Sequence, residues 1–265
     1  MIKLIATDLD GTLLNDDKKL PADFDRVLDR LEEKGVVLVA ASGRDYNGAA
    51  QFFGDRAKDM MFVCDNGANI YDRGRLIQTH TIPRQTVHRI LTLLEGIPDA
   101  DPLLCSTNGS YITYGTPAFM EKMKNHYSPV TLVEDIHGQD SGVFKISVYD
   151  VTGDIRNHLY MPLTEAFGDE LTIHISANIW VDIMADTADK GRGIEYIQRL
   201  LGVSREQTMA FGDFYNDVPL LSKAKYAFVM DNANDDLKKM FPYRADDNNS
   251  GGVTKAIKEW VLDKE

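Results

Sequence analysis

The chain has 265 residues, of which 43% are hydrophobic and 26% are charged. These proportions are typical of globular proteins and exclude a disordered or fibrous chain, and the length allows one large domain or two modest ones. The formal net charge of −12 argues against nucleic acid or anionic membranes as partners of the whole surface. A small anionic ligand stays compatible with this charge if the fold builds one local cationic pocket.

The two cysteines, Cys64 and Cys105, fit neither a metal-binding motif nor a disulfide scaffold, so we interpret them as free thiols in a reducing compartment. Residues 1–6 are too short an apolar run for a secretory signal. No apolar run approaches the roughly 20 residues that cross a bilayer. The sequence therefore predicts a cytoplasmic protein.

Short apolar segments alternate with helical patterns in the first part of the chain. Residues 3–7, 36–41 and 60–64 are mainly apolar, as in strands that are buried on both faces of a parallel sheet. A helical pattern begins at Pro21 and ends at Gly35. Strands and helices in this order predict right-handed crossovers and a Rossmann-like, doubly wound parallel sheet.

The pattern changes in the middle of the chain and then returns. The central part predicts strands near residues 103–107, 111–114, 130–133, 143–149, 171–175 and 179–184, with helices near 87–94, 117–127 and 154–167. From Lys190 onward the α/β pattern resumes, with a strand at residues 208–211 that leads into Gly212. We therefore predict an α/β core formed by residues 1–82 and 186–265, and an inserted α+β domain over residues 83–185.

The segment Asp8-Leu9-Asp10-Gly11-Thr12 follows the first predicted strand. Open α/β sheets bind their ligands beyond the carboxyl ends of the strands, and residues two apart in an extended chain point to the same side. Paired carboxylates at such a place suit Mg²⁺, and they also suit covalent catalysis in which one attacks and the other transfers a proton. A solvated, Asp-rich turn is the alternative interpretation.

Three further segments lie at predicted strand ends or helix starts. Ser42-Gly43-Arg44 follows the second strand, Lys190 begins a helix, and Gly212-Asp213-Phe214-Tyr215-Asn216-Asp217 follows a later strand. A hydroxyl and free backbone N–H groups can hold a phosphate, and carboxylates four apart can join Asp8 around one cation. Taken singly, the segments would equally fit a helix cap, a surface lysine and a loop without function.

Together, these four segments resemble the motifs of the haloacid dehalogenase superfamily, in particular its Cof-like phosphatases with a type IIB cap. The resemblance covers the whole chain and implies an α/β core with an inserted α+β cap domain. It implies that Asp8 is the nucleophile, which becomes an aspartyl phosphate, and that Asp10 is the general acid and then the general base. A carboxylate two residues after the nucleophile is typical of phosphatases and phosphomutases and argues against dehalogenation.

The resemblance also implies the remaining roles. Phosphate or substrate binding falls to Asp8, Leu9, Ser42, Gly43, Lys190 and Asn216, with Lys190 also catalytic. Mg²⁺ would be bound by Asp8, by the backbone carbonyl of Asp10 and by Asp213, with Asp217 acting through water or supporting Lys190. Thr12 would support the loop and Arg44 would be structural. Asn66 would lie close to the substrate, with a tight turn into the segment that follows as the alternative interpretation.

Some features depart from the pattern or carry no assignment. Phe214 and Tyr215 are bulkier than the usual residues of the fourth motif, and we expect them to narrow the pocket floor. In the predicted cap, four residues of the last two strands have no assigned role: His174, Asn178, Trp180 and Asp182. The sequence predicts no zinc site, because the histidines show no metal-binding spacing, and this holds for His80, His88, His137 and His158.

The sequence thus predicts a Mg²⁺-dependent phosphatase of small phosphorylated metabolites, with sugar phosphates as the best fit and a monomer as the default state. A phosphomutase or phosphotransferase would use the same chemistry with a second substrate as acceptor. A phosphate-sensing regulatory protein without catalysis is the alternative from another class.

Overall fold

The computed structural model describes residues 1–124, 129–176 and 178–263. The chain divides into two compact units, of which the first contains Met1–Gln78 and Asp189–Glu265 and the second contains Thr79–Ala188. The boundaries between the two units therefore fall after Gln78 and after Ala188 in the sequence. The sequence pattern predicts them after residues 82 and 185.

The N-terminal part of the chain alternates strands and helices. Its elements are β1 (Leu4–Thr7), α1 (Phe24–Glu33), β2 (Val37–Ala41), α2 (Tyr46–Ala50), β3 (Met61–Cys64), β4 (Asn69–Asp72) and β5 (Arg75–Thr79). The first three strands and α1 occupy the positions predicted from their apolar patterns. Strands β4 and β5 are not predicted, because neither contains an apolar run or a clear alternation.

The second unit combines helices with strands, as predicted. Its elements are α3 (Arg84–Glu95), β6 (Asp101–Ser106), β7 (Gly109–Ile112), α4 (Pro117–Lys124), β8 (Val130–Leu132), β9 (Val143–Tyr149), α5 (Met161–Phe167), β10 (Leu171–Ser176) and β11 (Trp180–Ala185). Its sheet has the order β10-β11-β9-β6-β7-β8 and is antiparallel in each of these pairs except β7–β8. The end of the predicted helix 117–127 lies outside the described residues.

The C-terminal part returns to the first unit. Its elements are α6 (Lys190–Leu201), β12 (Thr208–Gly212), α7 (Val218–Ser222), β13 (Tyr226–Met230), α8 (Asp235–Met240), β14 (Tyr243–Ala245) and α9 (Gly252–Ile257). Across the parts of the chain that the structure describes, no helix has both the length and the hydrophobicity that a membrane span requires.

The sheet of the first unit has the order β14-β13-β12-β1-β2-β3-β4-β5 and runs parallel from β14 to β3. Successive residues of β1 enter different hydrophobic clusters, with Ile5 in one and Leu4 in the other. Both faces of the sheet are therefore covered, and the predicted doubly wound α/β fold is confirmed.

Helix α6 approaches the sheet closely at Gly193. A Cβ atom at this position would lie 2.5 Å from Cγ1 of Val63 in β3, nearer than side chains can pack. Glycine at this position therefore lets the helix lie against the sheet, with Lys190 at its first turn.

Candidate active site

Two aspartates lie at the carboxyl ends of neighbouring strands. Asp8 follows β1 and Asp213 follows β12, and these strands pair in parallel, with the Asp8 N–H donating to the Phe211 carbonyl at 3.1 Å. Parallel neighbours end at the same edge of the sheet, which brings together two segments that are about 200 residues apart in the sequence.

Lys190 joins this edge from the start of α6. Its Nζ lies 2.5 Å from Oδ1 of Asp8 and 2.7 Å from Oδ1 of Asp217, and only 1% of the lysine is exposed. Asp8 and Asp217 are buried as well. A buried lysine between two buried carboxylates is held by charge-assisted hydrogen bonds, and each partner needs the other to offset the cost of leaving water.

A third carboxylate completes the group. One oxygen from each of Asp8, Asp213 and Asp217 lies within 4.8 Å of the others. Oδ1 of Asp213 accepts a hydrogen bond of 2.8 Å from the hydroxyl of Thr12. Gly11 gives Asp213 its space, because a Cβ atom there would lie 2.4 Å from Oδ2 of Asp213 and the backbone φ is +78°. The predicted loop motif therefore requires its glycine for two independent reasons.

The three carboxylates carry more negative charge than Lys190 balances. Burial raises the pKa of Asp8 well above its ordinary value, and Asp217 and Asp213 raise it further, against the lowering effect of Lys190. Burial and the charge of Asp217 raise the pKa of Asp213 to about 6. Burial disfavours the charged form of Lys190, but the charges of Asp217 and Asp8 outweigh this effect and raise the pKa of the ammonium group. A further cation would relieve the repulsion among these carboxylates.

This donor set fits Mg²⁺, because it offers carboxylate oxygens alone, and Mg²⁺ prefers hard oxygen ligands. The side chain of Asp10 is not one of the converging carboxylates, and the resemblance implies its backbone carbonyl as the ligand, which stays a prediction.

Asp10 instead forms ion pairs with two cations. Arg44 donates from Nε to Oδ2 at 2.7 Å and from Nη2 to Oδ1 at 2.8 Å, and Lys18 donates to Oδ1 at 2.8 Å. Burial opposes ionisation of Asp10, but the hydrogen bonds from Arg44 and Lys18 outweigh it and lower its pKa to about 2. Arg44 thus contacts a predicted catalytic residue directly. Lys18 was not predicted, since no motif marks a lysine eight residues after Asp10.

The second motif lies at the same edge of the sheet, after β2. The Ser42 side chain is buried, and its Oγ accepts a hydrogen bond of 3.2 Å from the Arg44 N–H. A Cβ atom on Gly43 would lie 3.1 Å from Oδ1 of Asn66, and that oxygen accepts a hydrogen bond of 3.2 Å from Nδ2 of Asn216. Ser42, Gly43, Asn66 and Asn216 are therefore neighbours, as their predicted common role requires.

Leu9 and the two aromatic residues of the fourth motif take different positions. The side chain of Leu9 is fully buried in the core, so that only its backbone can face a ligand. Phe214 and Tyr215 are 58% and 49% exposed, and their rings contact each other at 5.5 Å between centroids. Both rings lie at the surface and directly follow Asp213 in the chain, and the expectation that they narrow the pocket floor stays a prediction.

Comparison with known proteins decides the family. The sequence profile of the haloacid dehalogenase-like hydrolases matches residues 5–257. The chain belongs to this family. This match, together with the phosphatases among the relatives and solved structures described next, confirms the fold, the enzyme class of phosphoric monoester hydrolases and the resemblance to Cof-like proteins with a type IIB cap.

Individual relatives of this hydrolase family are similar over nearly the full length. The 5-amino-6-(5-phospho-D-ribitylamino)uracil phosphatase YbjI of Escherichia coli (strain K12) is 26% identical, over 97% of this chain and 95% of YbjI. The crystal structure of SMU.1108c from Streptococcus mutans UA159 is 27% identical with a TM-score of 0.84, over 98% of this chain and 99% of SMU.1108c. The HAD subclass IIB sugar phosphatase BT4131 is 20% identical with a TM-score of 0.79, over 98% and 99% of the two chains.

The inserted domain of this hydrolase has a polar row on one face of its sheet. Asp182 in β11 lies opposite Ser147 in the neighbouring strand β9 and opposite His174 in the other neighbour, β10. It accepts a hydrogen bond of 2.5 Å from the Ser147 hydroxyl. Burial lowers the pKa of His174, against the opposing effect of Asp182. Trp180 packs against Tyr149 and Phe119, which makes it part of a hydrophobic cluster in this domain. Asn178 lies in the turn before β11, with a φ of +58°.

Proposed function

We propose that this hydrolase is a Mg²⁺-dependent phosphatase of small phosphorylated metabolites, and that it acts through an aspartyl phosphate on Asp8. The observation that carries the proposal is the group formed by buried Asp8, Asp217 and Lys190 with half-buried Asp213 at the carboxyl edge of the parallel sheet. It combines a nucleophile, an oxygen ligand set and a fixed cation, which phosphoryl transfer needs for positioning and for balancing charge.

In the first half-reaction, an oxygen of Asp8 attacks phosphorus while the bond from phosphorus to the leaving oxygen breaks. The leaving oxygen takes its proton from Asp10. Asp8, Asp213 and, directly or through water, Asp217 would hold Mg²⁺, which when bound supplies positive charge toward the phosphoryl oxygens. Lys190 binds a phosphoryl oxygen and favours the ionised form of Asp8, and Ser42, Gly43 and Asn216 bind the remaining oxygens.

In the second half-reaction, water attacks the aspartyl phosphate and gives its proton to Asp10, so that phosphate leaves and Asp8 is restored. The contacts with Arg44 and Lys18 favour the ionised form of Asp10, which is the form that accepts this proton. For the first half-reaction Asp10 must be protonated, and those contacts must then loosen. Asp10 therefore changes both its protonation state and its partners during one turnover.

Sugar phosphates and related polyol phosphates are the substrate class we favour. The activity named for the YbjI relative removes a phosphate from a ribityl chain, which is a polyol that carries a uracil ring. Because the chain as a whole is acidic, it would bind such an anion only where Lys190 and a divalent cation make the local electrostatic potential positive.

The test is release of inorganic phosphate from a broad panel of phosphorylated metabolites, with no second substrate present. We expect turnover with Mg²⁺, loss of turnover in EDTA and recovery when Mg²⁺ is added back. Asp8→Asn should be inactive, while the matched control Asp17→Asn, in the same loop with a side chain 77% exposed, should be fully active. Mass spectrometry after rapid acid quenching should find the phosphoryl group on Asp8.

Three outcomes would contradict the proposal. Undiminished turnover in EDTA would exclude the metal, and an active Asp8→Asn enzyme would exclude the aspartyl phosphate. If phosphate appeared only when a second substrate was added, the enzyme would be a phosphomutase or phosphotransferase.

A further inference from the structure

Two histidines of the inserted domain face each other between two carboxylates. His88 lies on α3, and His137 opens the short helical turn His137–Gln139. Nδ1 of one ring lies 3.2 Å from Nδ1 of the other, and the rings are inclined by only 21°. The pair forms only in the folded chain, because the two positions are 49 residues apart.

The outer nitrogen of each ring is already engaged. Nε2 of His88 lies 2.6 Å from Oδ2 of Asp140, and Nε2 of His137 lies 2.9 Å from Oε1 of Glu95. An ionised carboxylate can only accept a hydrogen bond, so each ring carries its proton on Nε2. In the neutral rings both Nδ1 atoms then present lone pairs to each other.

Two lone pairs at this distance repel unless a cation lies between them, and the cation can be a proton or a metal ion. Two imidazole nitrogens on a tetrahedral zinc ion, with bonds of about 2.0–2.1 Å, lie about 3.3 Å apart. The observed 3.2 Å is close to that separation. Metal-bound histidines also usually donate their other N–H to a carboxylate, as both rings do in this domain.

The charges around the two rings and the exposure of the rings to solvent also favour a bound metal ion. Asp140 also pairs with Arg84 at 2.8 Å, so that Arg84, Asp140 and Glu95 together leave one negative charge beside the rings. The side chains of His88 and His137 are 47% and 27% exposed, which leaves room for water to complete the coordination. We propose that His88 and His137 form an exchangeable binding site for a borderline divalent metal ion such as Zn²⁺, separate from the aspartate group of the core.

The experiment titrates the full-length protein with Zn²⁺ by calorimetry, and with Co²⁺ by visible absorption, in an excess of Mg²⁺ that occupies the aspartate site. We expect one equivalent to bind, and Co²⁺ to show the intense visible bands of a low-coordinate nitrogen site. His88→Gln and His137→Gln should each weaken binding more than tenfold. Asp140→Asn should weaken it about 10- to 100-fold, because it removes the carboxylate behind His88.

Two controls make the result specific. His80→Gln changes another histidine of the same domain and should leave Zn²⁺ binding as it is. Asp8→Asn, which we expect to abolish phosphatase activity, should also leave it unchanged, so that this inference and the proposed function can fail separately. Circular dichroism of each variant checks that the domain is folded, and His137→Gln tests the site even if His88→Gln does not fold.

Equal Zn²⁺ binding by wild type, His88→Gln and His137→Gln would overturn the proposal. It would also be overturned if ¹⁵N spectra showed a proton shared between the two Nδ1 atoms that excess Zn²⁺ did not displace. In that case the pair would bind a proton only.

Discussion

Arg44 donates two hydrogen bonds to Asp10, from Nε to Oδ2 at 2.7 Å and from Nη2 to Oδ1 at 2.8 Å. Such a two-point contact fixes the orientation of a carboxylate as well as its charge. Arg44 follows Ser42 and Gly43 in the loop after β2, and its N–H donates to the Ser42 hydroxyl oxygen. The proposed phosphate-binding loop and the proposed acid–base group are therefore connected through one arginine.

This connection predicts that Arg44→Gln lowers kcat while the free energy of unfolding stays nearly constant. Asp10 would lose its fixed orientation, and misplacement of a reacting group by about 1 Å can cost about 100-fold in rate. We expect kcat to fall about 10- to 100-fold with little change in KM, measured on the best substrate of the phosphate-release panel. Lys18→Gln should have a smaller effect, because the side chain of Lys18 is 51% exposed and contributes one hydrogen bond. Equal kcat values for Arg44→Gln and wild type would show that Arg44 does not position Asp10.

Lys190 should contribute to stability as well as to chemistry. Replacing it with methionine leaves Asp8 and Asp217 buried without their shared cation. Removal of one partner from a buried ion pair costs about 3–5 kcal/mol, and we expect this loss in the free energy of unfolding from urea titration. Lys223→Met is the matched control, since it breaks a partly exposed pair with Glu195 and should cost about 0–1 kcal/mol.

A double variant distinguishes the cost of an unpaired buried charge from the cost of lost packing around Lys190. Asp8→Asn together with Lys190→Met should recover part of the lost stability, because one uncompensated charge is removed with its partner. If Lys190→Met and Lys223→Met were equally stable, or if the double variant showed no recovery, the buried charges would not be what stabilises this edge of the core.

The sequence predicts the centre of the site better than its surroundings, for a physical reason. Asp8 and Asp213 each follow an apolar strand of a parallel sheet, and parallel strands end at the same edge, so their proximity follows from the strand pattern. The contact of Lys18 with Asp10 depends instead on the turn after the first motif, in which Lys18 has a φ of +59°. No periodic pattern encodes such a turn.

The same limit applies to the fold and to the histidine pair. Strand β4 pairs antiparallel with β3, although its sequence Asn69–Asp72 contains no apolar run. His88 and His137 meet because a turn packs against α3, and motif spacing along the chain contains no trace of this contact. Features that depend on tertiary packing of polar residues were therefore the ones that the sequence did not predict.

Phe214 and Tyr215 should affect substrate choice without affecting stability. Both rings are about half exposed and immediately follow Asp213, so they can stack on a planar leaving group while contributing little to the core. Aromatic contacts contribute about 0.5–1.5 kcal/mol, and we expect Phe214→Ala and Tyr215→Ala to raise KM about 2- to 12-fold for phosphate esters with an aromatic ring. For simple sugar phosphates KM should change little, and kcat should change for neither class. Equal KM changes for both classes would contradict a stacking role.

Asp150 should make the inserted domain sensitive to acid. Burial opposes ionisation of this carboxyl, but hydrogen bonds from His158, Thr152 and the Gly153 N–H outweigh it and lower its pKa. A lowered pKa in the folded state stabilises the fold above the ordinary pKa of about 4, and this stabilisation is lost as the pH falls through the folded-state value.

Near pH 7, Asp150→Asn should therefore unfold more easily than wild type, by about 1–3 kcal/mol. The difference should shrink progressively as the pH falls below about 4, the ordinary pKa, because protonation then removes the advantage that the lowered folded-state pKa gives to wild type. Thermal unfolding of wild type and Asp150→Asn between about pH 7 and pH 3 measures this difference in stability. The matched control is Asp169→Asn, which changes an exposed aspartate of the same domain. A difference between Asp150→Asn and wild type that stayed constant with pH would mean that ionisation of Asp150 does not stabilise this domain.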